Sequence, residues 1–260
     1  MPVQVGTTTC RLSESDFGRI AYEVMRCVFE IHNEFGRFFD ERIYKQELGR
    51  RFSGTELEVP IEVRFENFRK LYFLDALFGG SAVFEFKAVE SLTPRHRSQL
   101  LHYLLLTDLP HGKLVNMRTE QVQHEFVNTT LRLGDRTGFE VIDRGWEEIG
   151  GTPVWDWCVA FLRDVGTCLD VGLYEEGLTH LLGGDDQVLR DIEVISSGRL
   201  LGSQKFRLVT PDTAFKVTAF PNDPRPFESH ARRLLEHTNL EAIQWVNVTR
   251  NAVSFQTIRK

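Results

Sequence analysis

A chain of 260 residues with 42% hydrophobic and 26% charged side chains, 20 of them phenylalanine, has the make-up of a folded protein of one large domain or two ordinary ones. Its formal charge of −6 and a pI near 5.8 argue against a protein that coats nucleic acid through general basicity. It has no apolar run of about 18 residues, no basic-then-apolar leader at its start and no Cys-x-x-Cys pair among Cys10, Cys27, Cys158 and Cys168, so a cytoplasmic protein without membrane segment or disulfide framework is expected.

Phe17, Ile20, Ala21, Val24, Val28 and Ile31 recur at the spacing of an amphipathic helix over residues 15–34, with Ser13 or Ser15 as its cap and Gly36 as its stop. A second helix is expected from Asp40 to about Arg51, with Glu41 and Tyr44 one turn apart on one face. Strands follow over 57–65, 70–78 and 82–89, and Gly79-Gly80 marks the last two as a hairpin. Pro94 stands where a further helix would begin, and Leu100, Tyr103, Leu104 and Leu106 give that helix an apolar side. Residues 113–117 and 123–127 read as closing strands. The order α-α-β-β-β-α-β-β predicts an α/β sandwich.

Turn signals at 133–138 and 149–153 predict a boundary between domains of residues 1–135 and 150–260. Beyond it the sequence repeats. Ile61-Glu62-Val63 returns 131 positions on as Ile192-Glu193-Val194, and Leu77, Phe84, Ala88, Ser98, Leu104, Thr107, Leu109, Val115 and Asn116 recur in the same ungapped register. Upstream, an offset of 130 aligns Gly36, Asp40, Tyr44 and Leu48 with Gly166, Asp170, Tyr174 and Leu178. Composition alone would yield roughly a third of the downstream matches, so two copies of one fold are expected.

Chemistry concentrates in the first copy. Glu85 and Lys87 share one face of a strand, while Phe84, Phe86 and Ala88 face the other way. Asp75 lies on the preceding strand. A two-residue Gly79-Gly80 loop would set Asp75 opposite Phe84 on the wrong face, whereas a three-residue loop through Ser81, or a bulge, sets it opposite Glu85. Two carboxylates from neighbouring strands suit Mg²⁺, although a cross-strand surface set of Asp, Glu and Lys accounts for the same three residues. The apolar stretches Leu71–Leu74 and Ala82–Phe84 favour a buried sheet, in which unpaired charges would be costly. Gln99 is a candidate to hydrogen-bond a water or a ligand, or else caps the edge of its helix. The basic groups Arg50-Arg51, Arg69-Lys70 and Arg95-His96-Arg97 fit phosphate contacts or a solvated face equally well. Trp155 and Trp157 read as core anchors.

Gly36-Arg-Phe-Phe-Asp-Glu41-Arg-Ile-Tyr44, then Asp75, then Glu85-Phe-Lys87, then Gln99-Leu-Leu-His-Tyr103-Leu, resembles the GxxExxY family of the PD-(D/E)XK nuclease superfamily. One position departs from the pattern: Phe38 stands where a glycine is expected. The resemblance implies a metal held by Asp75, Glu85 and the Phe86 carbonyl, with Glu41 as an outer or second-metal carboxylate. It gives Lys87 and Gln99 roles about the attacking water.

In the second copy Asp75 aligns with Phe206, Glu85 with Lys216, Lys87 with Thr218, Gln99 with His230 and Glu41 with Val171, so the ligand set is gone. The expectation is two tandem PD-(D/E)XK nuclease-like α/β units, the second degenerate and in contact with the first as a structural partner. The function expected is a Mg²⁺- or Mn²⁺-dependent nuclease acting on DNA or RNA. The alternative is a non-catalytic nucleic-acid-binding or assembly protein that retains the fold.

Overall fold

The first apolar stripe folds as α1 (Glu14–Phe35), in a computed structural model that describes residues 2–221 and 225–260. The Ser13 side chain accepts from the Asp16 backbone N–H, so one of the orphan donors of the first turn is satisfied, and Phe17, Ala21, Val24, Val28 and Ile31 are buried. The helix ends at Gly36, whose φ of 71° lies in the left-handed region that only glycine enters without strain. Then come α2 (Glu41–Arg51), β2 (Thr55–Phe65), β3 (Phe68–Phe78), β4 (Ala82–Lys87), α3 (Pro94–Thr107), β5 (His111–Asn116) and β6 (Gln123–Asn128). One strand had no counterpart in the sequence reading. This is β1 (Val3–Val5), too short for any period to show, which pairs antiparallel with the edge of β2.

The sheet runs β1-β2-β3-β4-β5-β6 and is antiparallel except where β4 and β5 pair parallel across the α3 crossover. Phe84 and Phe86 pack into the cluster formed with α1 and α2, so the alternation expected of β4 holds. Between β3 and β4, Gly79, Gly80 and Ser81 form a three-residue loop, and Phe78 pairs with Ala82, Leu77 with Val83 and Ala76 with Phe84. Of the apolar stretch 71–74, only Leu74 is fully buried; Leu71 and Phe73, on the opposite face of β3 and beyond its ladder to β4, are exposed.

The contacts divide the chain into two units, Met1–Leu133 and Gly134–Lys260. The stretch read as a link supplies structure to the second: α4 (Leu133–Thr137) bridges the division, and β7 (Glu140–Asp143) pairs parallel with β12 (Ala252–Arg259). Their glycines and charges concealed four residues of strand. The remaining elements are α5 (Val154–Val165), α6 (Val171–Leu181), α7 (Asp185–Val188), β8 (Leu189–Ser196), β9 (Arg199–Thr210), β10 (Thr213–Thr218), α8 (Arg225–Glu236) and β11 (Ala242–Val248). Trp155 and Trp157 pack on Phe255 and Phe161 within this unit. No described helix is long and apolar enough to cross a membrane.

Here the sheet runs β7-β12-β11-β10-β9-β8. Strands β8 to β12 thus repeat the order of β2 to β6, including the single parallel pair, β10 with β11. The sixth strand lies on opposite edges, at β2 in the first unit and at β12 in the second.

Residues that recur in sequence make the same bonds. Tyr44 Oη donates to the Gly36 carbonyl (2.8 Å) and accepts from Phe39 N, just as Tyr174 Oη donates to the Gly166 carbonyl (2.9 Å) and accepts from Leu169 N. Asn116 Nδ2 donates to the Val89 carbonyl while its Oδ1 accepts from Val89 N, and Asn247 makes the same pair of bonds with Phe220. Thr107 and Thr238 each donate to a carbonyl one helical turn back. Each such side chain fixes backbone that leaves regular structure, which explains why it outlasts its neighbours.

Because each tyrosine hydroxyl closes one turn between two helices, Tyr44→Phe and Tyr174→Phe should each lower stability by about 1–3 kcal/mol and by similar amounts, as read from urea unfolding curves. Wild-type curves for either variant would mean that the hydroxyl is not what holds the turn.

Candidate active site

The β3–β4 ladder stops at Ala76 and Phe84, and the next residue on β3 is Asp75. Its carboxylate, not a strand carbonyl, accepts the Phe86 backbone N–H, with Oδ2 at 2.8 Å. The loop register that would place Asp75 across from Glu85 is the one observed. On the far side of β3, Leu57 pairs with Ala76 and Val59 with Leu74, while Glu58 between them has φ of 52° and drops out of the ladder. A non-glycine residue in that region is strained, and here it lies beside Asp75 and turns its carboxylate to the same group.

That group is Lys45, on α2, which sequence reasoning missed. Its Nζ donates to Asp75 Oδ1 at 2.7 Å and Glu58 Oε1 at 2.5 Å, and lies 3.2 Å from Glu41 Oε1. Burial alone would lower the ammonium's pKa, but hydrogen bonds to Asp75 and Glu58 and the nearby carboxylates outweigh it and hold the pKa above the ordinary lysine range. Its one legible signal was the spacing of four from Glu41, which on a helix brings acid and base together. Glu58 gave none, since its role follows from a backbone conformation.

Glu85 is 1% exposed. One oxygen, Oε1, accepts from Lys87 Nζ at 2.5 Å, and the other, Oε2, is buried with no hydrogen-bond partner among the described residues. Burial first, then the charge of Asp75, pushes the carboxyl up to about 8, against the partial relief of Lys87. Glu41 is raised too, by burial and then by Asp75. Lys87 loses by burial but gains more from Glu85, so its ammonium is stabilised. Gln99 donates to Tyr103 Oη at 3.1 Å, and the phenol is raised mainly by burial, with Glu85 and Asp75 adding to the effect.

Asp75, Glu85, Lys87 and Glu41 therefore sense one another electrostatically, and Phe86 joins them through its backbone. Convergence of Glu41, Asp75 and Glu85 as three free ligands is not met: among the described residues no three Asp, Glu, His or Cys side chains are gathered to hold an ion. Lys45 lies between Glu41 and Asp75 and pairs with both. An uncompensated Glu85 Oε2 and an all-oxygen donor set nevertheless fit a hard divalent cation, which takes few protein carboxylates and keeps waters. The basic groups noted in sequence are largely spent in surface pairs: Arg50 and Arg51 on Glu47, Arg97 on Glu125.

The second unit inverts the arrangement. Glu175 stands at the position of Lys45, and its Oε1 accepts from Lys216 Nζ at 2.7 Å and from Val217 N at 3.4 Å. Lys216 stands at the position of Glu85, and Val217 at that of Phe86. A carboxylate on the helix and an ammonium on the strand make the tie that lysine and aspartate make in the first unit.

No curated protein matches the chain. A solved structure, the crystal structure of SSO0001, is 20% identical over 49% of this chain and 70% of that one, with a TM-score of 0.29, too loose a likeness to bear on assignment. A family model described as the PD-(D/E)XK nuclease superfamily matches residues 18–129, the span from α1 to the end of β6. Over those residues the first unit is thus similar to the PD-(D/E)XK nuclease superfamily.

Proposed function

We propose that the first unit is a divalent-metal-dependent nuclease that hydrolyses nucleic-acid phosphodiester bonds, and that within the superfamily it lies nearest the GxxExxY group. The observation that carries this reading is Glu85 Oε2: a carboxylate oxygen sealed from water with no donor, beside a lysine and on a strand adjoining an aspartate. Such an oxygen costs the fold stability unless a cation meets it. Asp75, Glu85 and the Phe86 carbonyl would hold Mg²⁺ or Mn²⁺, with Glu41 as an outer carboxylate. A bound divalent ion would supply Lewis-acid activation of water and offset charge on the phosphoryl oxygens.

The chain's own residues account for orientation and proton handling. The Phe86 N–H fixes the rotamer of Asp75. Lys87 anchors one oxygen of Glu85 and keeps its charge at the place where negative charge grows during attack on phosphorus. Glu41, whose pKa is raised by burial and then by Asp75, is a stronger base than an exposed carboxylate and suited to accept a proton. Gln99, held by Tyr103, would steady the water.

The second unit, in this reading, is a degenerate copy of the same fold without catalytic function. Phe206 and Lys216 in place of ligands, and a Glu175–Lys216 pair that needs no ion, support that. One observation favours the non-catalytic alternative for the first unit as well: Lys45 already satisfies Asp75.

Hydrolysis of single- and double-stranded DNA and RNA with Mg²⁺ or Mn²⁺ separates the two readings. Lys87→Ala and Asp75→Asn should each lower the rate about a hundredfold or more while leaving the fold intact by circular dichroism. Activity equal in all three proteins would identify a contaminant, and none in any would leave the binding alternative.

The pH dependence is also set. The folded pKa of Glu85, about 8, exceeds its ordinary 4.5, so the folded state holds the proton longer and metal-free stability should fall as pH rises from 4.5 through 8. In Glu85→Gln that decline should be reduced. Metal affinity, measured by calorimetry, should rise over the same window because the ligand must lose its proton. A metal affinity that stayed flat between pH 6 and 8 would remove Glu85 from the ligand set.

A further inference from the structure

The second unit has a cleft where the first has its acids. It lies between α8 and the sheet, has a volume of about 320 Å³, and is walled by Phe206 and Phe227 with Ala231, Leu234 and Ile243 behind them. Phe206, Lys216 and His230 line it at the positions that Asp75, Glu85 and Gln99 hold in the first copy. Ligand loss did not close the space. Phe206 and Phe227 are only partly buried and rest on the core about Trp245, with the Phe227 and Trp245 ring centroids 4.3 Å apart. Supported rings that remain partly open make a stacking platform.

The charge over this platform is reversed relative to the first unit. Lys205, Arg207 and Lys216 line the cleft with His230, and Glu175 is the one carboxylate among its lining residues. Glu175 takes Lys216 at 2.7 Å and Arg207 at 3.6 Å, so both cations share a single negative charge; Arg207 also donates to Thr179 Oγ1, and Lys205 stands opposite Asp191 on β8, which leaves a net excess of one positive charge. Lys216 keeps half of its side chain exposed despite the pair. On a chain of net charge −6, a local excess of positive charge against an apolar, aromatic wall is a specific arrangement.

We propose that this cleft binds a nucleotide, with the base against Phe206 and Phe227 and the phosphate at Lys205, Lys216 and Arg207. The inference rests on the reading of the chain as one that acts on nucleic acid, and adds to it a holding site in the copy that has lost its chemistry. A planar π-face joined to an anion is the ligand that satisfies both halves of the cleft, and stacking accepts any base. The nucleotide is either a free nucleoside monophosphate or an unpaired residue of a strand.

The test uses the full chain without divalent ions, so that no cleavage intervenes. Adenosine monophosphate is titrated by calorimetry and a short labelled single-stranded oligonucleotide by fluorescence anisotropy, beside inorganic phosphate as a base-free probe. At least one nucleotide probe should bind, more tightly than phosphate and more weakly as salt rises. Lys205→Glu and Phe227→Ala should each weaken binding about tenfold, and Arg19→Ala, an exposed cation of the first unit, should leave binding of the mononucleotide unchanged. Binding of the oligonucleotide alone identifies a strand as the source, and binding of the monophosphate shows that a free nucleotide suffices. Lys205 is exposed, so its variant serves even if Phe227→Ala fails to fold.

Wild-type affinity in the Lys205 variant, binding no better than phosphate, or no binding of either nucleotide overturns the proposal. Hydrolysis assays with Mg²⁺ on the same proteins keep the two readings apart. Pocket-dependent binding without hydrolysis retains the cleft and discards the nuclease, and hydrolysis without pocket-dependent binding does the reverse.

Discussion

The site depends on one hydrogen bond, from the Phe86 backbone N–H to the Asp75 carboxylate. An N–H in a central strand must have an acceptor, and β3 no longer offers a carbonyl once its ladder to β4 ends at Ala76. The aspartate fills that need, and in doing so its second oxygen is aimed toward α2 and Lys45. Strand separation, buried acid and helix-borne lysine are therefore one feature, and a change in loop length between Gly79 and Ser81 would displace all three.

The two units show which parts of such a feature are separable from the scaffold. Tyr44 and Tyr174, Asn116 and Asn247, and Thr107 and Thr238 keep their bonds to main chain at element ends. Among the acids, Asp75 meets a main-chain need too, but another element can meet it instead. Where they were replaced, a helix-to-strand tie was rebuilt with the signs exchanged, and the N–H of Val217 turned to Glu175 as that of Phe86 turns to Asp75. The fold requires an acceptor at that place and is indifferent to which element brings it.

Much of this was legible in sequence. The helical stripe of α1 and the order of the central elements followed from apolar period, whereas the glycine turn left two registers of β3 with β4 open, of which the structure has the one with a three-residue loop. The ungapped repeat identified residues whose bonds proved identical. The edge strands β1 and β7 were not legible, since three or four residues carry no period and owe their form to the strand beside them. Nor were Lys45 and Glu58, because a buried ion pair depends on which carboxylate a helix faces across space, and a left-handed residue within a strand has no composition signal. Exposed Leu71 and Phe73 misled for a related reason: hydrophobicity describes a side chain, whereas burial depends on the face it takes and on whether a neighbouring strand is still present.

The exchanged pair has a consequence for how the second copy could ever change again. Lys216→Glu alone, the step back toward a ligand, would set a new carboxylate against Glu175, which is nearly buried, and would leave Arg207 as the nearest relief. Glu175→Lys alone would face the Lys216 ammonium and the Arg207 guanidinium across the same gap. Either single step passes through like charges at a largely buried position, so restoring a carboxylate on β10 is favoured only with both changes together, and Phe206 would also have to be replaced. The exchanged pair is thereby entrenched by electrostatics, and later change in the cleft is confined to occupants that tolerate its positive rim.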